Sequence, residues 1–172
     1  MQVFSPAQCV GYVAFVLGVA AFLQTADRRL KLLNGTQCIA YGVHFALLGN
    51  PSAAATSFVS SARSYLSVRT RSPLLAVFLV TVNLAVGLVF SRNGAGWLPV
   101  IASSAATIAI FVLSGIPLRL VLLACTFLWL ANNLLCGSVG GVLLESTIAV
   151  ASVSTIIRLA AARGRTAPSN GA

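Results

Sequence analysis

His44, Arg63 and Glu145 stand inside long apolar stretches of a 172-residue chain that is only 8% charged. An ionisable group in hydrocarbon is costly, so each is by default a candidate for function. Glu145 is the one acidic residue inside these stretches. It would bind a cation or a proton, or neutralise an arginine. Arg63 would hold an anionic or hydroxyl-rich ligand, pair with Glu145, or extend its head to the membrane interface. His44 would relay protons, or sit neutral and hydrogen-bonded between helices. Asn132 and Asn133 offer amide donors and acceptors, to a polar ligand or to a neighbouring helix. Asn83 and Ser57 complete the polar set.

Catalytic patterns are missing from this inventory. The sequence has no Gly-x-Ser-x-Gly elbow and no His-Glu-x-x-His pair. Gly137-Ser138-Val139-Gly140-Gly141 lacks the Lys-Ser/Thr ending of a phosphate loop and reads as a helix-connecting turn. Cys9, Cys38, Cys125 and Cys136 show no metal-ligand spacing. Cys38 and Cys125 read as packing residues, and a Cys9–Cys136 disulfide is the minor alternative for the other two. No enzyme activity, catalytic residue, metal or cofactor is expected.

The elements that position these residues must be membrane helices. At 58% hydrophobic against 8% charged, the chain has too much apolar surface for a soluble domain. Seven segments reach the length of about 17–25 residues that a span needs. They are 7–24, 30–49, 52–68, 73–90, 97–115, 118–136 and 139–160. Asp27-Arg28-Arg29, Gly49-Asn50-Pro51, Arg69-Thr70-Arg71-Ser72-Pro73, Ser91-Arg92-Asn93-Gly94, Ser114-Gly115-Ile116-Pro117 and Gly137-Ser138 separate them. The N-terminus lacks the basic region and cleavage site of a signal peptide, so the first segment reads as a retained helix.

With the N-terminus outside, Arg28, Arg29, Lys31, Arg69, Arg71, Arg119, Arg158, Arg163 and Arg165 fall on one side and Arg92 alone on the other. A Lys/Arg excess in short loops marks the cytoplasmic side, which orients the chain N-out and C-in. These cations therefore read as topology signals and as contacts to anionic headgroups. A net charge of +9 scattered beside apolar segments gives no clustered face for nucleic acid. The third segment carries Ser57, Ser60, Ser61, Arg63, Ser64 and Ser67, so it must face protein or a water-filled cavity.

A shift of 88 residues lays 30–50 on 118–138. Leu30-Lys31-Leu32 then meets Leu118-Arg119-Leu120, Tyr41 meets Trp129, and His44 meets Asn132. The first three helices match the last three, and the odd connector between them makes the repeat parallel. Counted down from the Gly49 and Gly137 turns at about 1.5 Å per residue, His44, Asn132 and Glu145 fall in one layer, with Ser57 and Asn83 near it.

This 3+1+3, N-out layout resembles the SWEET and SemiSWEET transporters of the PQ-loop superfamily. Local sequence resembles more the YgjV-type bacterial inner-membrane proteins, on Gly11-Tyr12, Asp27-Arg28-Arg29-Leu30-Lys31-Leu32, His44-Phe45-Ala46-Leu47-Leu48-Gly49 and Arg63-Ser64. The chain has no Pro-Gln pair and no proline inside its first helix. The resemblance implies a multi-pass protein of the bacterial inner membrane.

The expected fold is an all-α integral membrane protein with seven transmembrane helices in a 3+1+3 parallel repeat of three-helix bundles. Residues 1–70 form the first repeat, 71–93 the connector helix, 94–162 the second repeat and 163–172 a disordered cytoplasmic tail. The expected function is a small SWEET-like carrier of a polar small molecule by alternating access. The candidate substrate-binding residues are His44, Ser57, Arg63, Asn83, Asn132 and Glu145. The alternative is a non-transporting accessory or assembly protein. The lipid bilayer, a polar substrate and a second copy of the chain are the expected partners.

Overall fold

The structure, a computed structural model, describes residues 6–47, 49, 51–91, 96–135 and 139–166. The Gly137-Ser138 turn, Arg92 and Cys136, with the disulfide considered for it, lie outside the described residues. Among the described residues seven α-helices follow one another: α1 Pro6–Phe22, α2 Asp27–Leu47, α3 Pro51–Arg69, α4 Pro73–Phe90, α5 Trp97–Val112, α6 Gly115–Leu135 and α7 Val139–Thr166. Among the described residues there is no strand. The helix ends fall within about three residues of the segment boundaries read from sequence, except that α7 continues past residue 160 to Thr166, into the expected tail; Asp27-Arg28-Arg29, read as a break, is the first turn of α2.

Among the described residues, three helices are long and apolar enough to cross a membrane: α4, α6 and the Gly141–Arg163 part of α7. α1 and α5 are apolar but shorter. α2 and α3 carry too many polar residues to read as lipid-facing, and the packing explains why. α2 lies between α1 and α3, and α6 lies between α5 and α7. α1 meets α7 and α3 meets α5, which closes the six into a ring. α4 stands outside this ring against α3 and α5. Exchanging each of α1–α3 with the helix four places later leaves the contacts within the ring unchanged, but not those of α4.

α4 shows the local logic. Pro73 occupies the first helical turn, where no N–H is needed, and the Ser72 hydroxyl accepts from the Leu75 N–H at 3.4 Å. Ala76, Leu79, Asn83 and Gly87 recur at helical spacing and are buried. Leu74, Val77, Phe78, Leu88 and Val89 on the other face are exposed. Gly87 allows close approach, because a Cβ there would lie 2.9 Å from a Val100 methyl.

α3 is the polar helix. Thr56, Ser57, Ser60, Ser61, Arg63, Ser64 and Ser67 are all buried. Three of its hydroxyls return to the helix's own carbonyls, Ser57 to Ala53, Ser64 to Ser60 and Ser67 to Ser64. That local bonding satisfies buried hydroxyls within the helix, and Ser64 also accepts from Asn34 Nδ2 of α2 at 2.9 Å. The apolar core runs through α4, α5 and α6, with Ile110, Phe111 and Leu118 fully buried and Leu30 reaching in from α2.

Candidate functional site

Six helices surround a cavity of about 80 Å³. About 10–15 Å³ of such space holds one water, so the cavity suits several waters or a small solute. Its wall is Phe22 from α1, Asn34, Gln37, Cys38 and Tyr41 from α2, and Ser57, Ser60 and Arg63 from α3. Ala106 from α5, Leu122, Cys125, Thr126 and Trp129 from α6, and Glu145 and Ile148 from α7 complete it. α4 contributes nothing.

The lining is built from residues 88 positions apart. Asn34 and Leu122, Gln37 and Cys125, Cys38 and Thr126, Tyr41 and Trp129, Ser57 and Glu145, and Ser60 and Ile148 are six such pairs, each with both members in the wall. Phe22, Arg63 and Ala106 lack such a counterpart. The two halves differ in chemistry. Amides and hydroxyls dominate the first, whereas the second is mostly apolar with one carboxyl.

Of the residues expected to bind substrate, Ser57, Arg63 and Glu145 share this cavity. Arg63 is buried and reaches from α3 to α5, where Nη1 donates to the Ser103 carbonyl and to Thr107 Oγ1 at 3.0 Å. Its Nε is buried without a partner. Glu145 is buried at 6% exposure, and among the described residues no hydrogen bond or ion pair engages its carboxyl. Arg63 and Glu145 therefore line one cavity without pairing. Arg63 does not extend to the interface, because its guanidinium is held by α5.

The other three lie elsewhere. His44 Nδ1 donates to the Ala7 carbonyl at 2.8 Å, and the ring stacks parallel to Tyr41 at 5.9 Å. It sits against α1, where a Cβ on Gly11 would come within 3.0 Å of the imidazole. Asn83 joins α4 to α5 through Val100 O at 3.0 Å and Ser104 Oγ at 3.1 Å. Asn132 is half-buried and is not part of the cavity wall. Depth along the helices put five polar residues in one layer; azimuth around each helix separates them.

Two cations read as topology signals prove to be internal. Arg119, at the start of α6, is 2% exposed. Its Nη1 pairs with Asp27 Oδ1 and donates to Gly115 O at 3.1 Å; Nη2 donates to Gln24 O at 3.0 Å and Thr25 O at 2.8 Å. Asp27 Oδ2 accepts from the Gly115 N–H at 2.8 Å, at the positive end of α6. Lys31, at the equivalent place on α2, is also buried and donates to Ile110 O at 2.7 Å and Ser67 O at 3.3 Å. Arg119 thus meets carbonyls just beyond the end of α1, and Lys31 meets carbonyls near the ends of α3 and α5, favourable places for positive charge. Thr155 adds a bond to Phe22 O, and Arg158 one to Leu23 O.

Burial raises the Asp27 pKa, but the Arg119 hydrogen bond, the Gly115 N–H and the charges of Arg119 and Lys31 outweigh it and hold the carboxyl below its ordinary 3.8. Arg28, Arg29, Arg69, Arg71, Arg158 and Arg163 are exposed. Extended beyond Lys31 and Arg119 to every polar position, the 88-residue shift would also have matched Ser57 with Glu145.

The chain was also compared with known proteins. The family described as "Bacterial inner membrane protein", of the YgjV type, matches residues 5–163. The inner membrane protein YgjV of Escherichia coli (strain K12) is 33% identical over 159 residues, which cover 92% of this chain and 86% of the relative. No solved structure matches. A family match that takes in every helix, and a relative aligned over nearly the whole length of both chains, agree with the apolar helices: the chain belongs to the YgjV-type family of bacterial inner membrane proteins.

Proposed function

We propose that this protein is a small carrier of a polar molecule, working by alternating access around the central cavity. In this reading all seven helices span the inner membrane, N-terminus out and C-terminus in. α1–α3 and α5–α7 are two copies of one parallel unit, laid out as in the SWEET transporters. The observation that carries the proposal is the wall itself: six pairs of residues related by one shift face one polar space. Substrate sites at the interface of two repeats are the common arrangement in carriers. Two rigid triplets also supply bodies able to rock.

The cationic contacts supply a gate. Lys31 and Arg119 hold the triplets together at the end of the bundle where the basic residues gather. Opening that end requires breaking both, and the cavity would then meet water on that side.

The alternative, a non-transporting accessory protein, draws on His44 and Asn83, which are spent on interhelical bonds. One experiment separates the two. Proteoliposomes with purified protein are offered a mixture of isotope-labelled polar metabolites from bacterial extract, and their contents are read by mass spectrometry. The carrier reading expects protein-dependent accumulation of one chemical class, lost in Glu145→Ala. No accumulation by folded protein sinks it and leaves the accessory reading.

A further inference from the structure

The one charge in the cavity wall that cannot be discharged is positive. Arg63 is permanently cationic and 7% exposed. Among the described residues its hydrogen bonds all leave from Nη1 and end on neutral groups, the Ser103 carbonyl and the Thr107 hydroxyl. Nε is sealed in without a partner, and Nη2 donates to no described residue. A buried cation that meets dipoles but no counter-charge is incomplete as it stands.

Glu145 does not supply that counter-charge. Its carboxyl lines the same cavity at 6% exposure, and no ion pair or hydrogen bond among the described residues engages it. Unlike a guanidinium, a carboxyl in a desolvated place can take a proton and become neutral. The wall then carries one net positive charge. An ionised Glu145 would cancel that charge and leave an incoming anion nothing to neutralise. Occupation by an anion and occupation by a proton are therefore linked, each favouring the other, with no ion pair needed between the two side chains.

The rest of the wall selects among anions. Arg63 stands with the amides and hydroxyls of α2 and α3, whereas Leu122, Trp129 and Ile148 make the facing half apolar. Guanidinium N–H groups suit the oxygens of a planar carboxylate. A short alkyl tail would meet the apolar half. A cavity of about 80 Å³ admits formate, acetate or propionate and excludes a long chain.

We propose that the cavity binds a short-chain monocarboxylate on Arg63 together with a proton on Glu145, so that the two enter with no net charge. This rests on the carrier reading only in taking the cavity as the substrate site. The other titratable groups in the wall are Cys38 and Tyr41 from α2 and Cys125 from α6; α1 and α5 contribute none.

The test uses the full chain purified in detergent, with ionic strength balanced by sodium gluconate, an anion too large for the cavity. Acetate and propionate are titrated at pH 6 and at pH 9, where both probes are ionised, as carboxyls are above about pH 5. Acetamide, methylammonium and chloride serve as neutral, cationic and inorganic controls. At pH 6 and about ten times its Kd, a carboxylate is expected to raise the thermal unfolding midpoint by roughly 3–6 °C, and the controls to leave it in place. Apparent affinity should fall towards pH 9, by up to about tenfold per pH unit once the empty site loses its proton. Glu145→Gln, fixed in the neutral form, should bind acetate alike at both pH values. Cys38, Tyr41 and Cys125 are intact in that variant, so the difference from wild type isolates Glu145. An equal response to chloride, acetamide or methylammonium overturns the proposal, as does no response to either carboxylate, or a wild-type affinity that is the same at both pH values. The comparison of ligands and pH values on the unaltered protein stands even if the variant does not fold. Carboxylate binding without uptake would sink the carrier reading and leave this one standing. Uptake of another cargo without carboxylate binding would do the reverse.

Discussion

The carboxylate of Asp27 accepts a hydrogen bond at 2.8 Å from the backbone N–H of Gly115, the residue 88 positions further on. Under the proposed repeat these are the same position in two copies. In a two-fold arrangement, equivalent positions meet only beside the axis. In the proposed carrier cycle this contact is the point about which the two triplets pivot. Arg119 closes on the same carboxylate and on the end of α1.

Asp27→Ala should weaken this junction. It leaves the Arg119 guanidinium buried, with carbonyls at Gly115, Gln24 and Thr25 still in reach. Loss of one partner of a buried pair costs about 3–5 kcal/mol, and the surviving bonds place this variant near the lower figure. The thermal midpoint in detergent is the readout, and a midpoint equal to wild type would dissociate the pair from stability.

Acid should act at the same point. A carboxyl held below its ordinary 3.8 in the folded protein contributes stability that is fully present above that pH. The contribution is lost as pH falls through the lower, folded value. Melting followed from pH 6 down to pH 3 should show a loss below about pH 4 that Asp27→Asn, already lacking the charge, does not share. Parallel curves for the two proteins would assign the acid response to other groups.

Much of this architecture was legible. Segment lengths and the Pro, Gly and Arg breaks gave seven helices within a few residues of the observed ends, because those signals act locally. The 88-residue shift paired Tyr41 with Trp129, which both line the cavity, and Lys31 with Arg119, which are both buried. What local pattern could not supply was azimuth. His44 lies within a turn of Tyr41, yet its imidazole turns to the Ala7 carbonyl while Tyr41 faces the cavity. Nor could it separate a cation facing headgroups from one capping another helix: Arg28 and Lys31 stand three residues apart, one exposed and one buried. That difference is set by where α5 ends, a fact of tertiary structure.

The gate predicts equivalent lesions at equivalent places. Lys31→Met and Arg119→Met should each raise the reactivity of Cys38 and Cys125, which line the cavity and are buried, toward a small thiol reagent added from the inner side. If each cation contributes about 1.4 kcal/mol to the closed form, labelling rises roughly tenfold. An increase in only one variant would argue against a shared gate.

The α2–α3 contact is tight at Gly35. A Cβ there would lie 2.9 Å from the Tyr65 ring, whose hydroxyl is tied to Thr36 at 2.7 Å and so resists swinging away. Gly35→Ala should cost about 1–3 kcal/mol through overpacking, read as a lower melting midpoint. An unchanged midpoint would mean that the ring relocates freely.

Asn83 serves as the control outside the cavity. Asn83→Ala removes the amide bonds that tie α4 to α5 and should cost about 0.6–2 kcal/mol, in the range of interhelical bonds in membranes. Ligand response and uptake should match wild type. Loss of uptake at normal expression would place α4 in the working cycle.

The central claim is that the cavity between the two triplets opens to each side of the membrane in turn. A chain carrying Cys9→Ser, Cys38→Ser and Cys136→Ser retains Cys125 in the cavity wall as its one thiol. Right-side-out and inside-out vesicles are treated with a membrane-impermeant thiol reagent, and modification of Cys125 is read by mass spectrometry. The account predicts modification in both orientations. Modification in neither, or in one alone, contradicts it.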